Sequence, residues 1–346
     1  MIDRVADRID ARAPDPVAAR SGLSDALGRR FEYLRLSLTD ICNFRCTYCL
    51  PDGYRKARGA PTNLSPDEIV RLVRAFATLG LWKLRLTGGE PTLRKEFTEI
   101  ASAVSMIPGI RRLAMTTNGY RLAERAQSFY DAGIRAINIS IDSLDAAKFK
   151  QITGHARLEE VLDGIEAARA AGIENIKINT VLMRDLNHME IDDFLEFVAA
   201  RDISLRFIEV MRTNDNPGFF KSHHLPGKNV TDRLEQLGWT RLPRVSGAGP
   251  AVEYGQADAK GRIGIIAPYS KDFCASCNRL RVSATGKFHL CLFGDGGIDL
   301  LPLLASDAQQ DELVDRIIAL TMTKAPGHLL QQDNSGATPH LASIGG

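Results

Sequence analysis

The chain has almost no net charge. Across 346 residues, 44 Lys and Arg stand against 42 Asp and Glu, a formal +2. That balance argues against a broad nucleic-acid-binding surface and leaves room only for a local basic pocket. No uncharged apolar run approaches the ~18 residues that span a bilayer, so no membrane partner is expected. Residues 1–30 lack the continuous apolar core of a secretory signal. They alternate Arg4, Asp7, Arg8, Asp10, Arg12 and Asp15 and read as a polar extension, partly helical or frayed. Cytoplasm is then the expected compartment. There is no Gly-x4-Gly-Lys-[Ser/Thr] loop and no Gly-x-Gly-x-x-Gly fingerprint, so a bound nucleotide would be held by side chains, without switch or hydrolysis machinery. Internal repeats and low-complexity stretches are absent. Cysteine is scarce, six in all, in a chain too long to need disulfide staples for its core.

What is present is ordinary globular composition, 44% hydrophobic and 25% charged, enough for about two domains at ~150 residues each. From residue 31 onward, strand-like and helix-like patterns alternate. Strands are expected at 33–38, 83–87, 112–117, 136–141, 176–182 and 205–210. Helices are expected at 65–79, 97–106, 122–132, 158–171 and 189–200. Ser65-Pro66-Asp67-Glu68 is a capping box with proline at the first helical position, and Gly133 and Gly172 stop two of the later helices. Such alternation implies βαβ units and a parallel sheet. The expected fold is α/β: a partial (β/α)6, open TIM-like barrel over 31–220, followed by a smaller C-terminal α+β domain over 221–346. In that second part, 219–250 reads as linker and loop. Strands are expected at 262–266 and 279–283, the latter in a hairpin with 287–293. A helix follows at 311–323, then a polar tail from 331.

The strands carry polar residues at period two: Arg35 and Ser37; Arg85 and Thr87; Asn138, Ser140 and Asp142; Lys177 and Asn179. Their alternates, such as Leu84, Leu86, Ile137 and Ile139, are apolar and would face the helices. A polar barrel interior with three basic residues suits a large anionic ligand.

The cysteines fall in two groups. Cys42, Cys46 and Cys49 form Cys-x3-Cys-x2-Cys directly after the first strand. Three thiolates in one loop can hold a soft metal centre. A [4Fe–4S] cluster so held would keep one iron open, and zinc with a fourth ligand from elsewhere is the alternative. Cys274, Cys277 and Cys291 form Cys-x2-Cys-x13-Cys across the expected hairpin. There zinc is equally open, since His289 could complete a Cys3His set. Between these cysteines lies Asn278-Arg279-Leu280-Arg281, whose two guanidiniums share one strand face and suit phosphate or carboxylate binding.

The first triad, with Tyr48 just before its last cysteine, resembles the signature of the radical S-adenosylmethionine (SAM) superfamily. Gly88-Gly89-Glu90-Pro91 is similar to its glycine-rich segment, where a chain without Cβ atoms can approach a ligand closely. The second triad and further segments narrow the resemblance to the MoaA family, the GTP 3′,8-cyclases of molybdenum cofactor biosynthesis. Those segments are Arg35-Leu36-Ser37-Leu38-Thr39-Asp40, the stretch from Arg85 to Arg94, Thr116-Thr117-Asn118-Gly119, Asn138 to Asp142, Lys177-Ile178-Asn179, Phe207 to Met211 and the terminal Gly345-Gly346. Leu50, where Met is expected, and Arg212-Thr213, where Pro is expected, depart from the pattern.

The resemblance implies two [4Fe–4S] clusters, one on Cys42, Cys46 and Cys49 and one on Cys274, Cys277 and Cys291, with SAM as the other cofactor. It places Tyr48, Gly89, Ser140 and Met211 against SAM. Arg35, Arg85, Thr116, Lys177, Arg279, Leu280 and Arg281 would contact GTP, and Gly345 and Gly346 would thread into the site as a catalytic tail. The implied reaction converts GTP to (8S)-3′,8-cyclo-7,8-dihydroguanosine 5′-triphosphate. The implied partners are an external electron donor and a downstream pterin-forming enzyme, with a homodimer left open. Two other readings are a peptide-modifying radical SAM enzyme with an auxiliary cluster and a zinc-stabilised, non-catalytic module.

Overall fold

Apolar residues at every second strand position decide which face of the sheet meets the helices. Leu34, Leu36, Leu84, Leu86, Ile137 and Ile139 are fully buried in one continuous core. The computed structural model describes residues 22–345 apart from 57, 58, 60, 246 and 339. Most of the expected N-terminal extension and Gly346 therefore lie outside the described residues.

The first two-thirds of the chain follows the expected alternation. The elements are β1 (Tyr33–Ser37), α1 (Pro66–Thr78), β2 (Lys83–Thr87), α2 (Phe97–Ser105), β3 (Arg112–Thr117), α3 (Leu122–Asp131) and β4 (Ile134–Ser140). After them come α4 (Ala146–Thr153), α5 (Leu158–Ala170), β5 (Asn175–Leu182), α6 (Ile191–Ala199) and β6 (Ser204–Glu209). The capping box forms as read: Ser65 Oγ accepts from Glu68 N–H, and the Glu68 carboxylate accepts from Ser65 N–H at 2.7 Å. Helix α4 is an addition to the sequence reading. It is capped by the Asp145 carboxylate, which accepts from Lys148 N–H, and it stops at Gly154 with φ 77°.

The stretch expected to be linker and loop is partly helical: α7 (Pro217–His223) and α8 (Lys228–Gln236). Proline starts α7 at a position that lacks a hydrogen-bond requirement. α8 buries only Val230 and Leu234, too sparse an apolar stripe to read from the sequence. The rest comprises β7 (Thr240–Arg241), β8 (Val252–Gly255), β9 (Arg262–Ile266), β10 (Arg279–Val282), β11 (Lys287–His289), β12 (Ile298–Asp299) and α9 (Gln310–Met322). The expected hairpin is β10–β11, with Arg281 opposite His289.

Among the described residues, twelve strands form one open sheet in the order β12-β11-β10-β1-β2-β3-β4-β5-β6-β9-β8-β7. β1 to β6 run parallel as expected. The chain's later strands then extend both edges: β10 pairs parallel with β1, and β9 pairs parallel with β6. Part of the expected polar extension is also packed onto this body. Leu23 is buried, its N–H donates to Leu79 O at 3.1 Å, and Ser24 bridges Arg30.

Ser65→Ala removes the side-chain half of the α1 capping box, the hydroxyl that accepts from Glu68 N–H, and leaves the backbone N–H of residue 65 to the Glu68 carboxylate. It should lower stability by about 1 kcal/mol, read as a lower denaturant midpoint with an unchanged slope.

Candidate active site

Strand β1 delivers the chain into the loop that carries Cys42, Cys46 and Cys49, and the next loop over holds that one in place. Gly89 N–H donates to Thr39 O at 2.8 Å, and Glu90 N–H donates to Ile41 O at 2.7 Å. A Cβ on Gly89 would lie 2.4 Å from Ile41 O, and one on Gly88 would lie 2.3 Å from Thr39 O. The glycines are therefore demanded by the backbone that leads into Cys42, a different reason from the ligand approach expected from the sequence. Glu90 fixes the same segment from below. Its fully buried carboxylate accepts from Thr92 N–H and Oγ1, Thr117 Oγ1 and Asn118 N–H. The Asn118 amide in turn donates to Asn43 Oδ1 at 2.9 Å. From the other side, Arg45 and Thr47 N–H groups donate to Thr153 and Ile152 carbonyls at the end of α4, and Phe44 stacks on His155.

All six thiols line one cavity of about 1270 Å³ on the polar face of the sheet. The two triads sit in different electrostatic settings. Burial raises all three thiols of the first: Cys42 to about 11, Cys49 to about 12 and Cys46 well up. Asp142 and the neighbouring thiols push Cys46 and Cys49 further. In the second triad burial and the neighbouring thiols raise Cys274, whereas burial of Cys277 is outweighed by Arg279, Lys324 and Arg29, which hold it below its ordinary value. Bare thiols of the first triad stay protonated near neutrality, so holding them as thiolates takes the positive charge of a metal centre. Each trio opens on the cavity, which fits a cluster whose irons each take one cysteine. The His289 ring packs against Gly297. No group of three or more His, Cys, Asp or Glu among the described residues is arranged around a single ion. His289 is not among the residues that line the cavity with the thiols.

Between the triads runs a band of cations in register. Arg281 of β10 lies opposite Arg35 of β1, which lies opposite Arg85 of β2. One step below, Arg279, Tyr33, Lys83 and Arg112 form a second row. Across the sheet, Lys177 neighbours Asn138, and Arg206 neighbours Asn179. Arg85 donates to Tyr33 Oη at 2.6 Å, Met115 O at 2.6 Å and Thr116 Oγ1 at 3.3 Å. Burial would raise the Tyr33 phenol, but the charges of Arg85, Arg35 and Lys83 outweigh it and hold it at about 6. Lys177 is lowered to about 7, first by burial and then by Arg206, with Glu253 opposing. Burial likewise takes Lys83 to about 8. A polyanion would relieve this crowding.

Of the residues singled out in the sequence, Tyr48, Gly89, Ser140, Met211, Arg35, Arg85, Thr116, Lys177, Arg279 and Arg281 all line this cavity. Leu280 does not join them, because its side chain is fully buried in the apolar core. Gly345 enters from the far end of the chain. Its carbonyl accepts from Arg35 Nε at 3.1 Å and from Arg281. With φ 66° and a would-be Cβ 2.2 Å from Thr87 Cγ2, only glycine fits there. Gly346 lies outside the described residues. Sequence reasoning passed over Tyr33, Lys83 and Arg206, although each sits at period two from a residue it did select or on the polar face of its strand. Asp142, placed on the polar face, turns out to anchor the first triad's loop. Its carboxylate accepts from Tyr48 Oη at 2.9 Å and from Val181 N–H at 2.8 Å.

Residues 36–198 match the Radical SAM superfamily, and residues 203–330 match the family Molybdenum Cofactor Synthesis C. A GTP 3′,8-cyclase of Aeromonas hydrophila is 53% identical over 330 residues, covering 94% of this chain and 96% of that protein. One from Stenotrophomonas maltophilia is 54% identical over 326 residues, covering 94% and 100%. Among solved structures, Streptococcus suis SuiB superposes with a TM-score of 0.56 at 15% identity, covering 83% of this chain and 65% of that one, a likeness of fold. No helix among the described residues is long and apolar enough to cross a membrane. Two cysteine triads opening on one cation-lined cavity, together with relatives identical at more than half of their positions over nearly the whole length, place this chain in the GTP 3′,8-cyclase family of the radical SAM superfamily.

Proposed function

We propose that the cavity binds GTP together with SAM and closes the ribose onto the guanine, giving (8S)-3′,8-cyclo-7,8-dihydroguanosine 5′-triphosphate. This is the first step of molybdenum cofactor biosynthesis. One observation carries the reading: both thiol triads face a single cavity across a band of cations, in a chain so similar to GTP 3′,8-cyclases. A [4Fe–4S] cluster with an open iron supplies, when SAM is bound and an electron arrives, the 5′-deoxyadenosyl radical that begins the reaction.

The chain's own residues then divide the work. Cys42, Cys46 and Cys49 are the ligands for the SAM-binding cluster, and Cys274, Cys277 and Cys291 are those for the second. Tyr48, Gly89, Ser140 and Met211 flank SAM. Arg35, Arg85, Lys177, Arg279 and Arg281, joined by Lys83 and Arg206, neutralise the triphosphate, and Thr116 fixes Arg85 among them. The guanidiniums offer planar forks to phosphate oxygens. Leu280 contributes backbone position only. Gly345 brings a peptide carbonyl between Arg35 and Arg281, which accepts from both guanidiniums. Gly346 would extend that tail. Enclosure matters because a primary radical reacts with any nearby C–H bond. The same reading includes an external electron donor, a downstream pterin-forming enzyme and a cytoplasmic setting. It also divides the chain near residue 220 between a barrel part and an auxiliary-cluster part.

Anaerobically reconstituted protein, reduced and given SAM and GTP, should carry roughly eight iron per chain and form the cyclised nucleotide. Deoxyadenosine release without GTP consumption would sink the cyclase reading. Cys274→Ser should abolish GTP cyclisation while SAM cleavage stays measurable, checked by quantifying both products. GTP affinity should weaken as pH rises through about 7, where the free Lys177 ammonium loses its proton. Lys177→Arg, which stays charged, should move that loss to higher pH in calorimetric titrations between pH 6.5 and 8.5.

A further inference from the structure

The hook ahead of β1 takes no part in the chemistry above, yet it reaches the second triad. Leu23 and Phe31 are buried, and Phe31 N–H donates to Leu23 O at 2.9 Å, closing residues 23–31 into a tight loop. Asp25 organises that loop. Its carboxylate accepts from Leu27 N–H and Arg29 N–H, each at 3.0 Å, and from Arg29 Nε at 2.6 Å. The guanidinium so aimed is only 8% exposed. Its remaining donors cross to the far end of the chain: Nη1 to Cys274 O at 3.1 Å and Pro326 O at 2.7 Å, and Nη2 to Ala325 O at 2.8 Å.

From that turn a second cation completes the circuit. The buried Lys324 ammonium donates to the carbonyl of Leu290, the residue before Cys291, and lies 5.6 Å from the Phe31 ring centroid in the hook. One arm of the triad, with Cys274 and Cys277, is tied by Arg29 to residues 325–326. The other arm, with Cys291, is tied to the same turn by Lys324. A fork of N–H donors can hold three carbonyls at once, which an ammonium in that place could not do with the same geometry.

We propose that Arg29 is a positioning residue of the second thiol triad, bracing its two arms, with Lys324, at the separation a [4Fe–4S] cluster needs. The proposal rests on the reading that this triad holds a cluster. Groups that orient metal ligands without touching the metal typically change affinity 10–100-fold when removed.

The test uses the full-length, reconstituted protein in two backgrounds. In one, Cys42, Cys46 and Cys49 are all changed to Ser, so iron reports the second triad. In the other, Cys274, Cys277 and Cys291 are changed, so iron reports the first. Arg29→Ala should speed chelator-driven iron release about tenfold in the first background and leave it unchanged in the second. It should also alter the electron paramagnetic resonance spectrum of the reduced second cluster. Arg29→Lys should recover only part of the retention. Lys324→Met, with Arg29 intact, should show the same selectivity and serves if Arg29→Ala does not fold. Equal acceleration in both backgrounds, or none in either, would overturn the brace. Absence of iron from the first background would overturn the brace and the cluster reading beneath it. A wild-type protein that keeps its iron but makes no cyclised nucleotide would count against the proposed function alone.

Discussion

The parallel pairing of β10 with β1 is the contact on which the rest of the site depends. It sets Arg281 beside Arg35, and Arg35 beside Arg85 on the next strand. It also brings the second cysteine triad to the sheet edge nearest the first. Three guanidiniums on adjacent strands repel one another in a partly desolvated cavity. Burial and the neighbouring cations all disfavour the charged form of Arg281. Such a row persists only if acceptors meet it, and the Gly345 carbonyl, the Tyr33 hydroxyl and the Met115 carbonyl do so. Apolar packing on the opposite face holds the strands at this spacing whether or not an anion is bound.

The two triads are chemically alike but lie among different charges. The first is pressed by carboxylates, with Asp142 under Tyr48 and Glu90 under Asn118. The second is ringed by Arg29, Arg279 and Lys324. Net charge around an iron–sulfur centre is one of the protein's levers on its potential. A fold that places two such centres on one cavity thereby gives them different surroundings without altering their ligands. The price of this arrangement is a densely cationic interior, which suits a polyanion.

Much of this was legible in single residues. Arg35, Arg85, Ser140 and Lys177 belong to the polar face because a strand repeats every two residues, and the same rule extends to Tyr33 and Lys83. Ser65 and Glu68 announced α1 because capping is local. The cysteine spacings announced two clusters of thiols because ligands in one loop, or at the two ends of one hairpin, need no distant partner. Elements with weak local signals were not legible. α8 buries two apolar side chains, and α7 spans seven residues that gain their definition from Pro217 and the chain around them. Leu280 was grouped with its arginine neighbours, but alternation turns it into the core.

The sequence by itself determined the alternation of β1 to β6 with most of the helices between them, the polar faces of those strands and the two thiol triads, all of which follow from periods of a few residues. Only the tertiary structure decided that β10 and β9 flank the six parallel strands from opposite sides in one sheet. It alone threaded Gly345 between Arg35 and Arg281, and linked Arg29 to Cys274 across some 245 residues. Those contacts join chain segments whose separation carries no local pattern. They are settled by which surfaces bury together and which buried charges must find acceptors.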